Sequence, residues 1–351
     1  MHLRICRHRA VSGREDVSAR VGAFLVVAHY PWLELQQVVA FLRIYVEMRH
    51  PARLLLTLLL APPFLAAIVG WMVAPWFLHP MRRGFTADLI HNADIAFTKV
   101  NAKREDFQVL ASDGATLRGW KVRAAQPNGD WVLLFHGVGD NRSGVLEHSL
   151  ILLDAGYNAV MMDARAHGES EGAMATYGWI ERHDTQAIVD TLEATEHPRH
   201  LFALGESMGA GIALQSAAIE PRIEAVVAEA PFANLREASY DYAGLRRSPW
   251  LGKTLFAPGT WTMIYRAERM ANLPAAEVSP MKAVSARAFP VLLICDGGDV
   301  ALPCRHTKMI FDAAIGRKEM WIVPEAYHTA ALGDQPEEFR RWVLAFFESV
   351  R

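Results

Sequence analysis

Cysteine is scarce in these 351 residues: Cys6, Cys295 and Cys304 are the whole supply. With no CxxC pair and no Cys/His metal spacing, they build neither a disulfide framework nor a zinc site. Cys295, inside an apolar run, reads as a buried strand residue. Charge of one sign is lacking too. The net charge is −2, which leaves no basic surface for neutralising phosphates, so no nucleic-acid partner is expected. Internal repeats and low-complexity segments are absent. What is plentiful is apolar: 52% of residues are hydrophobic against 21% charged, a balance that suits a globular protein with a sizeable core.

Charge is missing most conspicuously between Leu54 and Leu78, LLLTLLLAPPFLAAIVGWMVAPWFL. About 25 uncharged residues are enough to cross a hydrocarbon layer, which predicts a transmembrane helix over 54–78. Trp71 and Trp76 lie near its C-terminal end, where amphipathic rings favour the headgroup layer. Pro62 and Pro63 would kink a helix, which membrane helices tolerate. Arginines flank the run on both sides (Arg43, Arg49 and Arg53 before it, Arg82 and Arg83 after), so charge counting barely orients it. The run is too long for a signal-peptide h-region. The expectation is an uncleaved single-pass anchor with the catalytic domain outside the cytoplasm. Met48 opens MRHPARLLLTLLL, a basic n-region ahead of an apolar stretch, and is a second candidate start. Upstream, 1–53 reads as an N-terminal extension, Arg-rich and disordered over its first 20 residues. Leu35, Val38, Val39, Leu42 and Val46 in it recur at helical spacing.

From residue 105 the texture changes to strands and helices in turn. FQVLAS and ATLRGWKVRA read as two strands joined at Asp113-Gly114. Apolar strands follow at WVLLFHG (131–137), NAVMMD (158–163), HLFALGE (200–206), EAVVAEA (224–230), PVLLICD (290–296) and EMWIVP (319–324). Helical stretches separate most of them, and a final helix runs from about Pro336 to Val350. Such alternation predicts an α/β domain over 105–351, a mostly parallel doubly wound sheet covered on both faces. In such sheets ligands bind at the carboxyl ends of the strands.

The residues that carry chemistry sit at those ends. Gly205-Glu206-Ser207-Met208-Gly209 fits G-x-S-x-G between a strand and a helix. A serine there sits on a sharp, strained turn, and its glycine neighbours leave room for the backbone. The pattern alone arises by chance in about one chain of this length in ten; its setting gives it weight. A serine nucleophile needs a base, and His328, in VPEAYHTAAL after the last strand, is the histidine placed for it. The base needs a carboxylate to orient it. Asp299 in LLICDGGDVALP is preferred, because Gly297-Gly298 lets the chain turn before the carboxylate; Asp296 competes, and Glu229 is a distant third. The oxyanion donors would be the backbone N–H groups of Met208 and of Val138 in FHGVGDN. This chemistry calls for no cofactor and no metal.

Four motifs, FHGVGDN, DARAHGESEG (163–172), LGESMG and the pair DGGDVALP with AYHT, resemble the α/β-hydrolase superfamily over residues 105 to 350. The resemblance is to its serine-hydrolase branch, with serine-aminopeptidase-like and monoacylglycerol-lipase-like members. The apolar run with SDGATLRGWKV resembles the membrane-anchored Bem46-like subgroup. The resemblance implies the α/β-hydrolase fold and the chain order Ser207, Asp299, His328 for the triad. Two departures stand out: Ala166 where that branch usually has glycine, and Asp296 where it often has one. Ala166 is expected to cost little.

Residues from about 232 to 277 interrupt the alternation and imply a small helical cap. It carries Phe232, Tyr240, Tyr242, Trp250, Phe256, Trp261 and Tyr265, rings that either line an apolar acyl pocket or pack the cap onto the core. Arg246-Arg247 reads as a solvated pair. The expected function is a membrane-anchored serine hydrolase that cleaves a small, apolar carboxylic ester, thioester or amide. The alternatives are an aminopeptidase of the same fold and a catalytically silent, membrane-tethered scaffold.

Overall fold

The computed structural model describes residues 30–351 apart from Arg247. The Arg-rich first 20 residues and Cys6 lie outside the described residues. The chain divides at Ala61/Pro62 into two units. In the first, helix α1 (Tyr30–Glu47) precedes the start of α2 (His50–Leu78), and Tyr45 and Thr57 share a hydrogen bond of 2.8 Å between their hydroxyls. α2 is a 29-residue helix with Pro62, Pro63 and Pro75 inside it. It is long and apolar enough to cross a membrane.

The second unit begins with the rest of α2 and with α3 (Ala87–Lys99), which the alternation gave no reason to expect. Thr86 caps α3 by accepting the Leu89 N–H, and Phe97 meets Trp120 edge-on. The sheet then forms from β1 (Lys103–Leu110), β2 (Thr116–Arg123), β3 (Trp131–Phe135), β4 (Asn158–Met162), β5 (Leu201–Glu206), β6 (Ala225–Glu229), β7 (Val291–Asp296) and β8 (Lys318–Val323), in spatial order β1-β2-β4-β3-β5-β6-β7-β8. β1 and β2 pair antiparallel with each other, and β2 pairs antiparallel with β4. All other pairings are parallel. This is the α/β-hydrolase fold, with one apolar N-terminal helix as a candidate span.

Each fully buried strand sends alternate residues to opposite layers. Leu133 and Phe135 of β3 join one core cluster, Val132 and Leu134 the other. On the flanks lie α4 (Leu146–Asp154), α5 (Glu181–Glu196), α6 (Met208–Ile219), α10 (Pro280–Ala286), α11 (Arg305–Ala313), α12 (Ala331–Asp334) and α13 (Pro336–Glu348). Three helices, α7 (Leu235–Ala243), α8 (Pro249–Lys253) and α9 (Ala257–Ala271), fill the interval between β6 and α10 where the alternation breaks. Register places the strand ends side by side: Phe135 pairs with Gly205, Glu206 with Glu229, and Asp296 with Val323. The loops after β3, β5, β6, β7 and β8 therefore rise from one edge of the sheet.

Candidate active site

Ser207 sits between β5 and α6 at φ 52°, ψ −115°. A non-glycine residue in that region is strained by roughly 1–3 kcal/mol and persists only where its surroundings over-determine it. Two neighbours do so. A Cβ on Gly205 would lie 2.4 Å from the Gly209 carbonyl oxygen, and one on Gly209 would lie 2.1 Å from that of Phe135. Only glycine lets α6 start this close to β3 and β5. The Glu229 carbonyl also accepts the Ser207 N–H at 2.9 Å, tying the turn to β6.

Ser207 Oγ lies 2.8 Å from His328 Nε2, and His328 Nδ1 lies 2.6 Å from Asp299 Oδ2. The hydrogen bonds thus run from a buried carboxylate through an imidazole to a hydroxyl, across loops after β7, β8 and β5. Asp299 Oδ1 accepts the N–H groups of Ala301 and Leu302 at 2.6 and 3.0 Å. Burial works to raise the Asp299 pKa, but the bond and charge of His328 and these two N–H groups outweigh it and hold it below the ordinary carboxylate value. Gly297 and Gly298 serve close approach: a Cβ on Gly298 would lie 2.6 Å from the Glu325 carbonyl oxygen in the His328 loop.

Val138 and Met208 supply the two candidate oxyanion donors. Neither backbone N–H donates to another group among the described residues. The Val138 loop is held against Ser207, since a Cβ on Gly137 would lie 3.8 Å from Ser207 Cβ. His136 steadies this loop from beneath. Its Nε2 accepts the Ala164 N–H at 3.0 Å, so its Nδ1 carries the proton and donates to the Gly137 carbonyl at 2.7 Å. Burial pushes its pKa down and keeps it neutral.

The two carboxylates that competed for the orienting role do something else. Asp296 Oδ2 accepts the Thr329 N–H at 2.7 Å, and Glu229 Oε1 accepts the Ala331 N–H at 3.0 Å. Both hold the backbone just past His328. Glu206 acts likewise on the other side, accepting the Gly137 N–H at 3.3 Å. So β5, β6 and β7 each end in a buried carboxylate that ties down a loop of the site, a role the sequence does not announce. Crowding these acids has a cost. Burial, then the Glu229 charge, pushes Asp296 up to about 8, and burial lifts Glu206 to about 6. His148 of α4 lies 3.5 Å from Glu229; burial opposes its charge, but Glu229 and Glu206 prevail and raise its pKa.

Cys295 is buried in β7, as its sequence suggests, and it is also joined to Cys304 by a disulfide, with Cα atoms 5.4 Å apart. That bond closes the loop carrying Asp299. Ala166 takes φ 60° in a tight turn, where glycine would be unstrained. The cap rings divide. Phe232 packs beneath the cap with Leu78, Leu235 and Ile264, whereas Tyr242, Trp250, Trp261 and Tyr265 are exposed. Asp241 of α7 binds His306 of α11 at 2.6 Å and ties the two helices together. Arg246 stacks over Tyr242 at 4.6 Å. Among the described residues no cluster of side chains is suited to holding a metal ion.

A mostly parallel sheet with this strand order, a serine on a strained strand-to-helix turn and a histidine after the last strand define a class. The chain has the fold of that class, the α/β-hydrolase fold. Residues 126–260 match the family described as serine aminopeptidase, S33. The Bacillus subtilis protein YqkD is 27% identical over 252 residues, covering 70% of this chain and 79% of its own. A Danio rerio protein named lysophosphatidylserine lipase ABHD12 is 24% identical over 209 residues, 57% of this chain and 51% of its own. Among solved structures, the Pyrococcus furiosus esterase Pf2001 superposes with a TM-score of 0.62 at 20% identity, covering 78% of this chain and 99% of its own.

Proposed function

We propose that this chain is a membrane-anchored serine hydrolase that cleaves a carboxylic ester through an acyl-enzyme on Ser207. The observation that carries the reading is the continuous chain Asp299–His328–Ser207, with contacts of 2.6 and 2.8 Å, on a serine held in strained dihedrals. Ser207 Oγ attacks the acyl carbon while its proton passes to His328 Nε2. Asp299 keeps the imidazole proton on Nδ1 and stabilises the cation. The Val138 and Met208 N–H groups receive the developing oxyanion. The bond to the leaving oxygen then breaks, and Nε2 returns the proton to that oxygen. Water, deprotonated by the same nitrogen, attacks the acyl-serine; the acid leaves and Ser207 regains its proton.

α2 is the proposed anchor, by its length and apolarity and by the exposure of Leu54, Leu58, Phe64 and Trp76 along it. The Cys295–Cys304 disulfide supports placing the hydrolase unit outside the cytoplasm, where such bonds persist. The lipase activity in the name of the Danio rerio relative supports an acyl lipid as substrate.

An aminopeptidase ranks second. It is favoured by a cleft lined by Asp140, Glu147 and Glu206 beside Thr329, which is able to receive an amine. Asp140, however, is paired with Arg83 at 2.8 Å, and Glu206 is lifted to about 6. The test is fluorophosphonate labelling of wild type, Ser207→Ala and His328→Ala, followed by kcat/KM on esters of increasing chain length and on short peptides. Labelling lost in both folded variants with esters preferred is expected. Folded wild type that resists the probe would overturn the reading, and a preference for peptides would replace it with the second.

A further inference from the structure

Trp250, Trp261 and Tyr265 belong to none of the core clusters among the described residues, and they ask for an occupant. Trp250 is 68% exposed, Trp261 58% and Tyr265 53%. On α2, Trp71 and Trp76 are exposed as well. These are not separate patches. Trp71 stacks on Tyr265 with ring centroids 6.4 Å apart, Arg266 lies 5.0 Å above the Trp71 ring, and Trp261 Nε1 donates to the Tyr240 hydroxyl at 3.1 Å. One aromatic band runs from α2 across α9.

α9 cannot leave α2 without loss. The helices cross at glycines: a Cβ on Gly70 would lie 1.9 Å from the Gly259 carbonyl oxygen, and one on Gly259 would lie 2.7 Å from that of Ala66. Thr262 Oγ1 donates to the Ala67 carbonyl at 2.7 Å. Pro75 has no N–H, so it leaves the Trp71 carbonyl without its helical donor; Arg266 Nη1 fills the gap at 2.6 Å. The cap therefore goes where residues 66–78 of α2 go.

We propose that the outer face of α9, with Trp250 of α8, lies in the lipid headgroup layer, and that the site receives its acyl substrate from the bilayer across this face. The inference rests on the reading of α2 as an anchor and of Ser207 as the nucleophile. Tryptophan and tyrosine rings, apolar in body and polar at one tip, favour that layer. Arg246 and Arg269 are exposed on the cap, placed for anionic headgroups. The path from the helix end to the site is short. After α2, Met81 is exposed, and its carbonyl lies 3.4 Å from where a Cβ on Gly139 would sit. The Arg83 carbonyl accepts from Asn141 Nδ2 at 3.1 Å. The chain leaving the anchor thus runs over the loop of Val138. A second copy of the chain would also cover an aromatic face, and the experiment separates the two.

The full chain is reconstituted into phosphatidylcholine–phosphatidylserine vesicles with bromine on the acyl chains near the ester carbonyls, and tryptophan quenching is read for wild type and Trp250→Phe/Trp261→Phe. The chain has 10 tryptophans. If the two rings sit at the lipid surface, removing them lowers the quenched fraction of the emission. If they face water or another copy, removing them raises it and overturns the proposal. A wild type that brominated lipid leaves unquenched would refute the anchor reading itself, and this proposal with it. In a second arm, Trp250→Ser/Trp261→Ser/Tyr265→Ser is expected to lose about tenfold in kcat/KM on a long-chain ester held in vesicles and to stay within about twofold on a short soluble ester. Equal rates on both substrates would overturn the proposal. A loss on both would mark a damaged cap and leave the ring-conserving quenching arm to decide. Failure of wild type on the soluble ester refutes the hydrolase reading and leaves the quenching result standing on its own.

Discussion

Exchanging Asp299 for Asn tests which of two neighbouring carboxylates orients the histidine. Asn is close in shape, and its carbonyl oxygen can keep accepting the Ala301 and Leu302 N–H groups at the Oδ1 position, so the loop has no reason to move. At the Oδ2 position, 2.6 Å from His328 Nδ1, an NH2 group replaces an acceptor. Two donors cannot face each other there, so the imidazole turns to the tautomer with its proton on Nε2. That nitrogen, 2.8 Å from Ser207 Oγ, then has no lone pair to take the serine's proton. A forced wrong tautomer of this kind costs about 10⁴-fold in kcat, or about 5.5 kcal/mol of transition-state stabilisation. Asp296→Asn is the control. It lies three residues earlier at the end of β7, retains an acceptor for the Thr329 N–H and touches neither His328 nitrogen, so it is expected to cost less than about tenfold. The assay is steady-state hydrolysis of a short chromogenic ester, with the rate of fluorophosphonate labelling as a second readout. Equal losses in the two variants, or an Asp299→Asn enzyme within about tenfold of wild type, would refute the assignment.

Other expectations concern pH and stability. Asp296 has a folded pKa near 8, above its unfolded value, so the folded state holds an extra proton between roughly pH 4 and pH 8, and stability falls as pH rises through that window. Asp296→Asn removes this slope; melting temperatures at pH 5, 6 and 7 should show wild type losing ground to the variant as the pH rises, and parallel curves would refute it. Ala166→Gly relieves a residue held at φ 60° and is expected to be stabilising by about 1 kcal/mol, read as a higher melting temperature. Cys295 and Cys304 should resist alkylation until a reductant is added, and Cys304→Ser should cost about 2–3 kcal/mol, since the bond closes a loop with a sequence separation of 9.

The sheet was the most legible feature because its strands are buried on both faces and read as uninterrupted apolar runs, such as Val132–Phe135 and Val291–Cys295. The elbow serine was legible because only glycine fits beside it, and sterics leave a mark in sequence. Helix α3 left a fainter mark: Ala93 and Phe97 are its only buried residues, on a face that covers Trp120. The roles of Asp296 and Asp299 were separable by preference alone. Both are buried acids at or just past the end of β7, and only the fold decides that one meets an imidazole and the other a backbone N–H. The Cys295–Cys304 bond was missed because two cysteines make no framework. The left-handed dihedral of Ala166 was hinted at only by the glycine usual at that position in the resembled branch, since alanine seldom adopts it and itself gives no warning of the strain. Which rings of 232–277 are exposed was not legible, since aromatic composition does not say which way a ring faces.

The wide spacing of the three site residues has a consequence in time. Ser207 and His328 are separated by 121 residues, and His328 stands on a loop after the last strand of the sheet. A ribosome adding about 5–20 residues per second takes roughly 6–24 s to cover that interval. Throughout it, α2 and Ser207 have been synthesised while His328 has not. The contact between Ser207 and His328 therefore cannot form in that interval, and the delay is written into the order of the strands.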